Sequence, residues 1–75
     1  MPKVDQFLRA FGYAVKKLRE SRGLTQEKLA EKADLDRTYL SDIERGSRNP
    51  GIKNVAKLAK ALGIPTAQLL EGVNA

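Results

Sequence analysis

The chain has 75 residues, which is enough for one small domain. It carries 14 Lys and Arg against nine Asp and Glu, a net charge of +5, and has neither histidine nor cysteine. That composition excludes disulfide staples, thiolate metal sites and the imidazole and thiol groups of common catalytic centres, and its positive balance points to an anionic partner, nucleic acid before a membrane surface.

Residues 1–6 lead into no long apolar run, which argues against a signal peptide. A first helix is predicted over residues 5–21. Leu8, Phe11, Val15 and Leu18 recur there at three- and four-residue steps and share one face. Lys16, Lys17 and Arg19 lie mostly off that face, and Arg22-Gly23 closes the helix. Thr25 is a good N-cap for a second helix over residues 26–33, with Leu29, Ala30 and Ala33 inward. Asp34-Leu35 reads as a tight turn. Asp36 then caps a third helix over residues 37–45, with Leu40 and Ile43 inward. A loop over residues 46–51 leads to a fourth helix, residues 52–62, striped by Val55, Leu58, Ala59 and Leu62. Gly63 stops it. Pro65 opens a short fifth helix over residues 65–71 at its first turn, with Leu69, Leu70 and Val73 apolar. No alternating pattern is long enough for a strand. Nor do about 18 consecutive apolar residues occur, so no membrane-spanning helix is expected. The expected fold is all-α: a compact five-helix bundle forming one domain over residues 1–75.

The informative segment is residues 26–45. Two short helices joined by a tight turn make a helix-turn-helix if they pack at a steep angle. Ala30 is small enough to let the second helix approach the third. Leu29, Leu35, Leu40 and Ile43 supply a shared core. Asp34 stands where the chain turns sharply, and Asp tolerates the left-handed region better than most residues.

Gln26-Glu27-Lys28-Leu29-Ala30, then Leu35, Leu40 and Ile43, then Glu44-Arg45-Gly46, resemble the Cro/repressor-type helix-turn-helix family of phage and bacterial regulators. The similarity runs from about Phe11 to Leu70. Residues 36–50 are similar to the controller proteins of restriction–modification systems, dimeric regulators that bind palindromic operators and time endonuclease expression. The resemblance implies a lambda repressor-like fold and a role for each matched residue. Gln26, at the start of the second helix, would bond a phosphate, where free backbone N–H groups also favour an anion. The third helix would be the recognition helix, with Arg37 and Thr38 in its first turn in the major groove. Arg37 could grip guanine O6 and N7. Thr38 could meet a thymine methyl or a phosphate, and Tyr39 a sugar or phosphate. Ser41 and Asp42 lie one turn further on. Asp42 either accepts from a cytosine amino group or pairs with Arg45 or Arg37, and the pairing is favoured. Ser47, Arg48 and Asn49 would meet the DNA backbone. Leu69, Leu70 and Val73 divide between core and a dimer interface.

Blander assignments stand beside these. Arg37 could be a solvated surface residue, and Tyr39 could pack on the helix pair. Lys16, Lys17, Arg19 and Arg22 divide between a solubilising face and phosphate contact. Lys53, Lys57 and Lys60 are expected in solvent. Glu27, Glu31, Asp34 and Asp36 sit among basic residues and suggest no metal site, and no Gly-rich phosphate loop exists. No cofactor, no metal and no enzymatic activity are expected. The expected partners are a double-stranded DNA operator and a second copy of the chain, with RNA polymerase as a further candidate and no membrane. The expected location is the cytoplasm. The alternative is an antitoxin-like helix-turn-helix protein whose main role is to bind another protein.

Overall fold

The computed structural model describes residues 3–71. Val73 therefore lies outside the described residues. Five helices follow one another: α1 (Lys3–Ser21), α2 (Gln26–Ala33), α3 (Arg37–Arg45), α4 (Ile52–Leu62) and α5 (Thr66–Glu71). Among the described residues there is no strand, and no helix is long and apolar enough to cross a membrane.

The helix boundaries follow from caps. The Thr25 hydroxyl accepts from the Lys28 N–H at 3.1 Å, and the Asp36 carboxylate accepts from the Tyr39 N–H at 3.3 Å. Each satisfies a donor that a helix start leaves free. At the end of α2, Asp34 adopts φ 57° and ψ 48°. Its N–H donates to Glu31 O, and the Leu35 N–H donates to Ala30 O at 2.8 Å. This paired closure normally falls to glycine, and Asp34 is the one non-glycine with positive φ among the described residues. The turn expected at Asp34-Leu35 is thus built.

Two boundaries differ from expectation. The first helix begins at Lys3 rather than residue 5, because no glycine or proline stands between Lys3 and Asp5 to break it. Pro65 precedes the fifth helix instead of forming its first turn. Its carbonyl accepts from Gln68 N–H and Leu69 N–H, as an N-cap residue's does.

One core joins all five helices. Phe11 and Val15 come from α1, Leu29, Ala30 and Ala33 from α2, and Leu40 and Ile43 from α3. Val55, Leu58, Ala59 and Leu62 come from α4, and Leu69 from α5. Burying a leucine or isoleucine side chain contributes about 1.5–3 kcal/mol, so these contacts dominate the fold's stability. The closest approach is α1 on α3. A Cβ placed on Gly12 would lie 2.2 Å from Ile43 O and 2.6 Å from Glu44 O. Only a residue without a side chain lets α1 press directly on the backbone of α3. That contact sets how α3 is held against α1.

Candidate nucleic-acid interface

α2, the turn at Asp34 and α3 form the expected helix-turn-helix. Arg37 and Thr38 are both exposed in the first turn of α3. Arg37 has no ion-pair partner among the described residues. Its five donors are therefore free for an external acceptor. Thr38 presents a hydroxyl and a methyl group beside it.

The second turn of α3 and the following loop are linked. Asp42 pairs with Arg45, through Oδ1 and Nη2, and with Arg48, whose Nη2 lies 3.6 Å from Oδ2. Arg45 Nη1 also donates to Ser41 Oγ at 3.2 Å. Arg48 stacks over the Tyr39 ring at 5.0 Å, a cation–π arrangement. The Tyr39 hydroxyl accepts from Asn54 Nδ2 at 2.8 Å. Ser47 donates from both N–H and Oγ to Asp42 O. So Tyr39, Ser41, Asp42, Ser47 and Arg48 are brought together, whereas Asn49 is exposed without a hydrogen bond among the described residues. The favoured pairing of Asp42 is present with Arg45. Its second partner is Arg48 and not Arg37, because Arg37 lies at the opposite end of α3. Tyr39 is half-buried and packed against the core, so its ring is largely a structural surface for Arg48.

Gln26 is half-buried, and Nε2 donates to Glu44 Oε1 at 3.0 Å. The same carboxylate takes Arg19 Nε at 2.7 Å and Arg19 Nη2 at 3.1 Å. Arg19 Nη1 reaches Leu24 O at 2.8 Å. The side chains of Arg19 and Glu44 are only 11% and 3% exposed. Glu44 raises the Arg19 pKa above its ordinary value, first by accepting its hydrogen bonds and also by its charge, against the opposing effect of burial. Arg19 is therefore neither a solubilising residue nor free for a phosphate. Arg22 donates from Nε to Leu62 O at 2.6 Å and closes the end of α4. The sequence alone does not separate these two arginines from Lys16 and Lys17, which are exposed. In the sequence Glu44 stands out only inside the family motif; its signal is an acidic residue one helical turn after Leu40 and next to Ile43, on the edge of the apolar stripe.

Of the residues divided between core and dimer interface, Leu69 is 1% exposed and belongs to the core. It offers a second chain no surface. Leu70 is half-buried and lines a crevice of about 60 Å³ with Phe7, Leu8, Phe11, Pro50 and Val55. Phe7 is 51% exposed. Lys53, Lys57 and Lys60 stand in solvent as expected. Among the described residues no group of His, Cys, Asp or Glu could hold a metal ion.

The helix-turn-helix family HTH_3 matches residues 15–69. The chain belongs to that family. Among helix-turn-helix relatives, control protein C.BamHI of Bacillus amyloliquefaciens is 50% identical over 62 residues, covering 81% of this chain and 76% of that protein. The crystal structure of the restriction–modification controller protein C.AhdI from Aeromonas hydrophila is 45% identical, with a TM-score of 0.81, over 83% of this chain and 94% of that one. The controller protein C.Esp1396I, solved as a tetramer in complex with its natural 35 base-pair operator, is 38% identical, with a TM-score of 0.79, over 92% of this chain and 96% of that one. The similarity to controller proteins drawn from residues 36–50 thus extends to the whole helix-turn-helix fold.

Proposed function

We propose that this chain is a sequence-specific, double-stranded-DNA-binding transcriptional regulator of the controller type, and that two copies bind a palindromic operator. The observation that carries the proposal is the likeness, over most of both chains, to a controller protein solved on its operator. Arg37 and Thr38 fit the reading role, being exposed at the start of α3, and would meet base edges in the major groove. Gln26 would meet a phosphate with the donor that Glu44 leaves free. Ser41, Asp42, Ser47, Arg48 and Asn49 form the flank that follows the DNA backbone.

The second copy would pack on the surface around Leu70, Phe7 and Leu8; Val73 is proposed for the same interface on its sequence alone. One small module buries little DNA surface, and doubling the contacts multiplies affinity. Two copies would set their α3 helices in successive major grooves about one helical turn apart. Tying operator occupancy to promoter output would make RNA polymerase the next partner, in the cytoplasm, with the genes of a restriction–modification system as the natural targets.

The test is selection of duplexes from a random library, followed by sedimentation at two salt concentrations. Two chains on one palindromic duplex, weaker at higher salt, is the expected result. Arg37→Ala should lose about 1–3 kcal/mol of base discrimination and keep weak, salt-sensitive binding. Arg48→Ala should weaken operator binding and lower its salt slope by about one. Selection that recovers no sequence, with the chain monomeric, would refute the proposal and favour a protein-binding module.

A further inference from the structure

The face around α3 carries two kinds of arginine. Arg37, at the reading end, has no ion-pair partner among the described residues. Arg45 and Arg48, at the other end, share one carboxylate, Asp42. The side chains of Arg45 and Arg48 remain half or more exposed, at 64% and 50%. Exposed ion pairs of this kind contribute little to folding stability. A carboxylate on a surface that meets phosphates also opposes binding to every duplex. Its presence calls for a role in binding itself.

We propose that Asp42 is a specificity determinant of the DNA face: it tethers Arg45 and Arg48 within the protein and so reduces the charge that duplexes lacking the operator sequence can exploit. The inference rests on the operator-binding reading above and deepens it. Non-specific binding to DNA is almost wholly an exchange of counterions for lysine and arginine at the phosphates. Base recognition adds hydrogen bonds that only the right sequence returns. Asp42 competes with phosphate for two guanidinium groups and leaves Arg37 untouched. It therefore subtracts from the first contribution and spares the second, and the ratio of operator to random-sequence affinity rises. The tether also has direction. Arg48 lies between Asp42 at 3.6 Å and the Tyr39 ring at 5.0 Å, and Tyr39 is held by Asn54. Arg48 is thus kept beside the groove-facing end of the loop, ready to exchange its carboxylate for a phosphate once Arg37 has engaged.

The experiment measures binding of the full chain to its library-selected duplex and to a scrambled duplex of the same length and composition, by fluorescence anisotropy across a salt series. For Asp42→Asn, scrambled-duplex affinity should rise roughly three- to tenfold and the salt slope should steepen by about one, as one more arginine meets phosphate. The operator-to-scrambled ratio should fall. Asp42→Ser should do the same, which covers the case in which Asp42→Asn fails to fold, and Asp42→Glu should retain the parent ratio. Adding Arg48→Ala to Asp42→Asn should remove most of the gain. If both neutral variants bind the scrambled duplex no better than the parent, or bind both duplexes more weakly, Asp42 only positions its partners and the inference falls. The same gain in Asp42→Glu would also overturn it, since the charge is kept. A parent chain that binds no duplex would refute the operator reading itself, and this inference with it.

Discussion

Replacing Gly12 by alanine tests the α1–α3 contact with a single methyl group. In an ordinary helix the change is favourable, because alanine exceeds glycine in helix propensity by about 1 kcal/mol. Here the new Cβ would fall 2.2 Å from Ile43 O, 2.6 Å from Glu44 O and 2.9 Å from Glu44 C. Ordinary contact begins at 3.4 Å, so α1 must withdraw by 3.4 − 2.2 = 1.2 Å. The obstructing atoms are backbone and cannot rotate aside. Overpacking a tight contact costs about 1–3 kcal/mol, occasionally more, and a 2.2 Å approach to backbone belongs at the top of that range. The withdrawal also pulls Arg19 away from Glu44. Less the propensity gain, the net loss is about 2 kcal/mol, which for a domain this small lowers Tm by about 10 °C. Thermal unfolding followed by far-ultraviolet circular dichroism, at fixed protein concentration because association raises Tm, reads the effect. A Gly12→Ala variant that melts at or above the parent temperature would refute the close approach and its consequence for the placement of α3.

Removing Glu44 is the second perturbation. Glu44→Ala leaves Arg19 buried without its partner and should destabilise by about 3–5 kcal/mol, read by urea unfolding. The sign of the pH effect follows from Arg19. Its pKa is raised, so its share of the pair is complete below the ordinary arginine range and is lost only as pH climbs past the raised value. Arg19 itself therefore gives no stability loss across neutral and mildly alkaline pH, and a parent Tm that falls there must have another source. Thr25→Ala removes the acceptor for the Lys28 N–H and should cost about 1 kcal/mol, again read by urea unfolding. Leu70→Glu should leave the monomer folded, since Leu70 is only half-buried. On the proposed pairing of two copies, its sedimentation should shift from dimer to monomer, and a variant as dimeric as the parent would remove α5 from the proposed interface.

What was legible in the sequence was local. Thr25 and Asp36 announce helix starts by their side-chain oxygens, and Gly63 and Asp34 mark stops where the backbone must turn left-handed. The apolar stripes of α2, α3 and α4 carry the period of a helix, and those helices have the expected bounds. Arg37 and Thr38 were readable because their place in the first turn of α3 follows from the Asp36 cap. The tertiary contacts were hidden. Gly12 sits in mid-helix, where nothing in the sequence marks a crossing backbone. Arg19 and Arg22 share the polar side of α1 with Lys16 and Lys17. Which of the four meets another helix depends on the rotation of α1 against α3 and α4, a property of the packed structure. Leu69 and Leu70 are adjacent and equally apolar, and only the docking of α5 separates the buried one from the surface one.

The carboxylate of Glu44 accepts from residues on α1 and at the start of α2 while itself belonging to α3. Local opening of α3 therefore strands polar groups on both α1 and α2, and opening of α1 strands the buried Glu44 on α3, so such openings carry much of the free energy of global unfolding. The helix-turn-helix should behave as one cooperative unit in native-state hydrogen exchange, with the amides of Leu40 and Ile43 released only when the whole chain unfolds. The short α5, tied mainly through Leu69, should exchange earlier by fraying. In dynamic terms the helix-turn-helix is a rigid body, and on the proposed function any adjustment to DNA is left to its exposed side chains.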